Sequence, residues 1–315
     1  MAVATRNLSA GLSDTVRGYC AGGQTPSITN RIERITIASA GNATDFGDLT
    51  ESKGNTSSIC NTTRYVRIGG YASPGYSNVL DYVTIANTGN ATDFGDLTVS
   101  RHSLGGGSNS VLAAAIGGSD VINVIDFVTI ATTGDAADFG DLTVARLQSF
   151  GGMSDTTRGV FGGGTNPDNV TIDFITIASQ GNATDYGDLI TAARGPAGVS
   201  NSVTGFALGG DTGSTVNTMS SFNISSGGTV TDFGDLAESS KNATSNSGSH
   251  GGLNEGYQGT RPTHSAGAGR GLLGGGKTNP AGTNQIGIQS ITKKRGASRT
   301  ESKDQFSLQS FIPSK

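Results

Sequence analysis

The side chains best suited to chemistry are carboxylates that come in pairs. The string Asp-(Phe/Tyr)-Gly-Asp-Leu occurs five times, pairing Asp45 with Asp48, Asp93 with Asp96, Asp138 with Asp141, Asp185 with Asp188 and Asp232 with Asp235. Carboxylates three apart in a strand and turn are Ca²⁺ ligand types, but no loop of oxygen ligands such as DxDxDG accompanies them. The spelling "DFG" also occurs in kinases, yet neither a lysine-bearing partner strand nor an "HRD" run is present. The remaining role is structural: the carboxylates fix a turn and hydrogen-bond between neighbouring units.

A basic residue recurs with the same period, at Arg6, Lys53, Arg101, Arg146 and Arg194, with Lys241 or Arg261 next in the series. Two roles are open to these cations. Each can pair with the aspartate five or six residues upstream (Asp48, Asp96, Asp141, Asp188 or Asp235) or with a carbonyl of the next unit. Alternatively, they ring one mouth of a central channel and grip an anionic partner.

Little else points to catalysis. His102, His250 and His264 are the three histidines, and none falls at a repeating position. Cys20 and Cys60 belong to no CxxC or Cys/His cluster, so they read as free thiols. The glycine runs at 105–107 and 274–276 lack the GxxxxGK(S/T) context of a phosphate cradle. The expectation is a non-enzymatic chain with no catalytic, metal-ligating or cofactor-binding residues.

What positions these residues is a repeat. The aromatics Phe46, Phe94, Phe139, Tyr186 and Phe233 stand 45 to 48 residues apart, and a fixed period of this size marks stacked or radial units that share a core. After the basic residue comes a small-and-apolar run closing on a glycine pair: "YCAGG" at 19–23, "VRIGG" at 66–70, "AAIGG" at 114–118, "GVFGG" at 159–163 and "FALGG" at 206–210. A variable loop then ends in Asn30, Asn78, Asn123, Asn169 or Asn217, expected to hydrogen-bond its own turn.

An alternating segment follows, "ERITIA", "DYVTIA", "DFVTIA", "DFITIA" or "SSFNIS", with the period of a half-buried strand that sets Ile35 and Ile37 on one face. A glycine-bearing polar turn leads from it into "DFGDL", completing a hairpin. Each unit thus carries four short strands, and no helical period interrupts them.

A degraded sixth copy is legible. "GRGLLGGGKTNP" at 269–280 matches "TRGVFGGGTNPD" at 157–168, Asn284 closes the loop, and "DQFSLQS" at 304–310 stands in the place of "TDFGDLT". The extra length lies in a Gly/Ser/Asn-rich insertion at 242–268. The predicted fold is all-β: a six-bladed β-propeller with four antiparallel strands per blade and an atypical sixth blade. The blades are bounded at about 1–50, 51–98, 99–143, 144–190, 191–237 and 238–315 of a single domain.

Composition agrees. Glycine makes up 50 of 315 residues and charged residues 15%, against about 25% in ordinary domains, the profile of a turn-rich all-β chain. A net charge of −4 gives no field to draw nucleic acid, and no apolar stretch approaches the ~20 residues that span a bilayer. The first residues lack the charged and apolar regions of a secretory signal.

The order of basic residue, double glycine, alternating strand and aromatic resembles kelch repeats, departing from them in having no tryptophan. The wording "VTIATTGDAADFGDLTVAR" resembles kelch-like repeats in virion structural proteins of tailed, particularly marine, bacteriophages. That resemblance implies a virion protein made in the bacterial host cytoplasm, serving as a tail-associated, adaptor or decoration subunit, with other virion proteins as partners. The alternative is a propeller that binds a host receptor or glycan.

Partner contacts are expected in the loops, where the copies differ. Tyr71 and Tyr76, near Tyr65 and Tyr82, form the densest aromatic patch. The cationic stretch "TKKRGASRTESK" at 292–303, with Lys293, Lys294 and Arg295, replaces the last hairpin turn and could dock on an acidic neighbour.

Overall fold

A computed structural model describes residues 10–13, 17–24, 27–36, 39, 41–61, 63–108, 111–148, 150–155, 157–165, 168–200, 203–241, 244–247, 270–274, 286–294 and 305–310. The chain is an all-β propeller of four-stranded antiparallel blades, with no helix among the described residues. Consecutive strands pair in chain order throughout. Blade one holds β1 (Ala10–Ser13), β2 (Arg17–Ala21), β3 (Arg31–Thr36) and β4 (Thr44–Asp48). Blade two holds β5 (Ser57–Cys60), β6 (Arg64–Ala72), β7 (Gly75–Thr84) and β8 (Thr92–Asp96). Blade three holds β9 (Gly105–Ser108), β10 (Leu112–Ile116), β11 (Val124–Thr129) and β12 (Ala137–Asp141).

Blade four holds β13 (Phe150–Ser154), β14 (Arg158–Gly162), β15 (Thr171–Thr176) and β16 (Thr184–Asp188). Blade five holds β17 (Ala197–Ser200), β18 (Thr204–Asp211), β19 (Thr215–Asn223) and β20 (Thr231–Asp235). Four further strands, β21 (Thr244–Ser247), β22 (Arg270–Gly274), β23 (Ile286–Lys294) and β24 (Gln305–Ser310), pair among themselves in the same order.

The alternating segment forms the third strand of each blade. Val83 and Ile85 are buried on either side of exposed Thr84, and Val128 with Ile130 and Ile175 with Ile177 repeat the pattern. In the first copy Ile35 is only half-buried, and Ile37 lies outside the described residues. The Asp-Phe-Gly-Asp string forms the fourth strand, and a bulge recurs at its aromatic. Ile32 faces Gly47 and Glu33 faces Asp45, leaving Phe46 as the extra residue; blades two to five repeat the shift. Such a bulge re-aims one side chain. Phe46, Phe94 and Phe139 are buried while the preceding aspartates stay exposed.

The core sits between blades rather than within them. One cluster joins Tyr19, Ile32, Phe46 and Leu49 of blade one to Tyr65, Val83 and Ile85 of blade two. The next joins Val66, Ile68, Phe94 and Leu97 to Ala113, Val128 and Ile130, and the following seam joins Phe139 and Leu142 to Phe161, Ile175 and Ile177. Phe46, Phe94 and Phe139 are the wedges of these three seams, and burial of one such side chain contributes about 1.5–3 kcal/mol.

The double glycines are crossed by the chain that links one blade to the next. Gly69 has φ +50°, and a Cβ there would lie 2.6 Å from the carbonyl oxygen of Arg101. Only a residue without a side chain tolerates both the backbone angle and the approach. In blade four the glycines with positive φ are Gly163 and Gly164, one position later than the spelling "GVFGG" implies.

Candidate functional site

The recurring cations converge on the seams. Lys53 Nζ lies 2.6 Å from Asp81 Oδ2 and donates to the Val79 carbonyl at 3.0 Å. Arg101 places Nη2 3.0 Å from Asp126 Oδ2 and donates to the Ala115 carbonyl at 3.1 Å. Arg146 pairs with Asp173 and donates to the Thr171 carbonyl at 2.7 Å. All three cations and their aspartates are fully buried.

The expectation of a cationic channel mouth is therefore corrected for Lys53, Arg101 and Arg146, which no solvent reaches. Their partners are also not the aspartates of the DFGD string. They are the aspartates that open the alternating segment within the third strand, beyond the reach of a local reading because they lie in the hairpin of the blade that the cation leads into. Burial lowers the pKa of Arg101 and Arg146, and Asp126 and Asp173 act against that shift.

A threonine completes each site. The residue after the motif's leucine donates from its hydroxyl across the seam to the same carboxylate: Thr50 to Asp81, Thr98 to Asp126 at 2.6 Å, and Thr143 to Asp173. In three seams the network is therefore threonine, cation and aspartate, at fixed offsets in the repeat.

The fourth seam has lost all three members. Ile190, Ala193 and Ser220 occupy the threonine, cation and aspartate positions. Arg194 is one residue later, which turns its side chain out of the seam; it is 39% exposed and reaches Asp211 at 3.3 Å. Lys241 is displaced in the same way and pairs with the same Asp211. Ala237, Ser240 and Gly287 stand at the three positions in the following copy. Arg6 and Arg261 lie outside the described residues.

The DFGD string has its own task at the rim. Gly89 and Ala91 of blade two donate to the carbonyls of Phe46 and Asp48 at 2.9 and 2.7 Å. In return, Asp48 N donates to the Asn90 side chain at 3.1 Å. The stitch repeats at Gly134, Asp135 and Ala136 against Phe94 and Asp96, and at Gly181, Asn182 and Ala183 against Phe139 and Asp141. It covers the outer edge of these three fourth strands, an otherwise open template for pairing.

The asparagines behave differently from expectation. Asn169 does accept from its own turn, at Thr171 N. At Asn30, Asn78, Asn123 and Asn217 the main-chain carbonyl accepts from the motif's leucine N–H, and Asn217 alone of these four adds a side-chain bond, donating from Nδ2 to the Leu236 carbonyl at 3.4 Å. Any residue supplies the main-chain group.

A second series of arginines escaped the sequence reading. Arg17 and Arg64 start the second strand of their blades and donate to Ile85 and Ile130 carbonyls of the next blade, at 3.3 and 2.9 Å. Arg64 and Arg158 also lie over the rings of Tyr82 and Phe174, 4.7 and 4.5 Å from the centroids. Their common offset before the double glycine was the available signal. Arg67 is the other omission, a fully buried guanidinium in the seam beside Tyr65. Burial lowers the Arg67 pKa and pushes that of Tyr65 up to about 12.

Cys20 and Cys60 are not joined in a disulfide. Among the described residues, no group of three or more His, Cys, Asp or Glu is placed to hold a metal ion.

The loop face carries a cluster that does not repeat. The β6–β7 hairpin turns at Ser73 and Pro74 and brings Tyr71 and Tyr76 together, ring centroids 6.4 Å apart. His102, from the link into blade three, joins them at 6.5 Å from Tyr71 and 4.6 Å from Tyr76. Its ring is positioned by Ser103 Oγ, 2.8 Å from Nδ1, and its backbone by Ser119 of blade three. Tyr65, by contrast, is core, and Tyr82 packs half-buried against the core. Of the cationic stretch, Lys293 and Lys294 end β23 and Arg295 lies outside the described residues.

No protein-family model matches the chain, and no curated protein matches it.

Proposed function

We propose that this chain is a non-enzymatic structural and interaction subunit of a tailed-phage particle, a kelch-like propeller that serves as an adaptor, decoration or tail-associated protein. The observation that carries the non-enzymatic part is the fate of the repeated polar residues. Lys53, Arg101, Arg146 and their aspartates are spent inside seams, and the DFGD strands of blades one to three are stitched to the next blade through their main chain. What is left for a partner is the loop face and the last unit. The virion setting rests on the resemblance in wording.

The six-bladed count belongs to this reading. It is supported by β21–β24 pairing in the order of the other blades, with β21 beside β17 on one side and β1 on the other. The test is whether the native protein co-sediments with purified particles at a copy number matching capsid or tail symmetry. Its absence from the particle overturns the proposal. The second reading, a host-glycan or receptor binder, is favoured by one observation, the Tyr71–Tyr76–His102 cluster on the loop face.

A further inference from the structure

We infer that Tyr71, Tyr76, His102 and Asp120 form a binding site for one neutral pyranose ring; this rests on the second reading above and names its ligand class and residues. Three rings from two separate chain segments meet edge to face, at 63°, 82° and 64° between planes. Their edge-to-face packing makes one small patch rather than a flat shelf for a nucleobase. Tyr76 is 44% exposed, well above the buried aromatics of the seams, and so is available to a ligand.

Aromatic faces receive the C–H side of a saturated ring, and a few placed polar groups then fix its orientation. The polar group here is Asp120, exposed and next in the chain to Ser119, whose N–H and hydroxyl both bond to the His102 main chain. A carboxylate accepts from sugar hydroxyls and repels acidic sugars and phosphates, which selects a neutral ring. Burial also lowers the His102 pKa, and Asp120 acts against that shift.

The backbone around the carboxylate supports the assignment. Asp120 and Val121 have φ of +65° and +54°. A β-branched residue in this region is a genuine outlier, and such strain concentrates at ligand sites. The other positive-φ non-glycine residues, Asn55, Ser103 and Gln148, share one offset after the recurring cation and so belong to the repeat. The Asp120–Val121 turn does not.

The test is an NMR titration of the full chain with the methyl glycosides of glucose, galactose, mannose and N-acetylglucosamine. At least one should move the His102 ring-proton resonance, with Tyr76→Ala and His102→Ala each weakening binding by about tenfold. Asp120→Asn should weaken it several-fold. Each variant should keep the parent melting temperature, which separates lost binding from lost fold. Unmoved resonances up to about 100 mM of all four probes overturn the inference, as does undiminished binding by Tyr76→Ala. Protection of Tyr76 from surface iodination on intact particles also overturns it, in favour of protein docking. None of these outcomes alters the co-sedimentation result, so the particle reading stands or falls separately.

Discussion

Blades three and five are cut from one repeat but are joined to the preceding blade in different ways. Entering blade three, Arg101 and Asp126 form a fully buried pair, joined by the hydroxyl of the exposed Thr98. Entering blade five, Ile190, Ala193 and Ser220 replace all three. The rim stitch follows the same division. Asp135 accepts from Asp96 N in the first case, whereas Thr229 stands at that position in the second. The lesson is that the network is kept or dropped whole. A buried cation without its carboxylate is far more costly than the complete pair, while an apolar replacement of the set is close to neutral.

The sharpest way to break this comparison is to remove one partner in each seam. Asp126→Ala strands Arg101 and should cost about 3–5 kcal/mol, whereas Ser220→Ala should stay within about 0.5 kcal/mol; denaturant midpoints measure both. If the two cost the same, the network does not hold its seam. The rim stitch comes next. Gly95 and Gly187 share a strained φ, +143° and +137°. A Cβ at Gly95 strikes Gly134, while at Gly187 the nearest atom is 3.5 Å away. Gly95→Ala should therefore cost about 1–3 kcal/mol more than Gly187→Ala.

The seam between blades one and two adds a pH test. Tyr65 titrates at about 12 in the folded chain and at about 10 when unfolded. The unfolded state gives up its proton first, so this contribution is complete below about pH 10 and falls as pH rises towards 12. Absorbance at alkaline pH should show one late tyrosine, and Tyr65→Phe should remove it together with that stability loss. The smallest effect belongs to the displaced cation. Arg194→Met should change stability by less than about 1 kcal/mol, because the arginine is partly solvated and Asp211 keeps Lys241. A larger loss would mean that Arg194 replaces the missing network after all.

Much of this division is legible in the spacing of the sequence. From the motif's leucine to the cation is four residues at Lys53, Arg101 and Arg146, but five at Arg194 and Lys241. Treating the five as one equivalent series hides the displacement. The strand-three aspartates are equally visible, as the first letter of "DYVTIA", "DFVTIA" and "DFITIA". Their pairing is not, because a residue in the loop entering a blade meets the third strand only once the blade has folded. The Tyr71–Tyr76 pair is legible as neighbours across a short turn, whereas His102 lies in another segment at no repeating position.

By itself, then, the sequence determined the unit: its period, its four strands, the glycine pair and the aromatic wedge. Local spacing carries that information, because strand alternation and turn chemistry act over a few residues. The tertiary structure alone decided which charges meet, that three of the cations face the protein interior rather than a channel, and which rings gather on the loop face. Those outcomes depend on packing one blade against the next, where partners far apart in the chain come within a few ångströms and burial makes each unpaired charge costly.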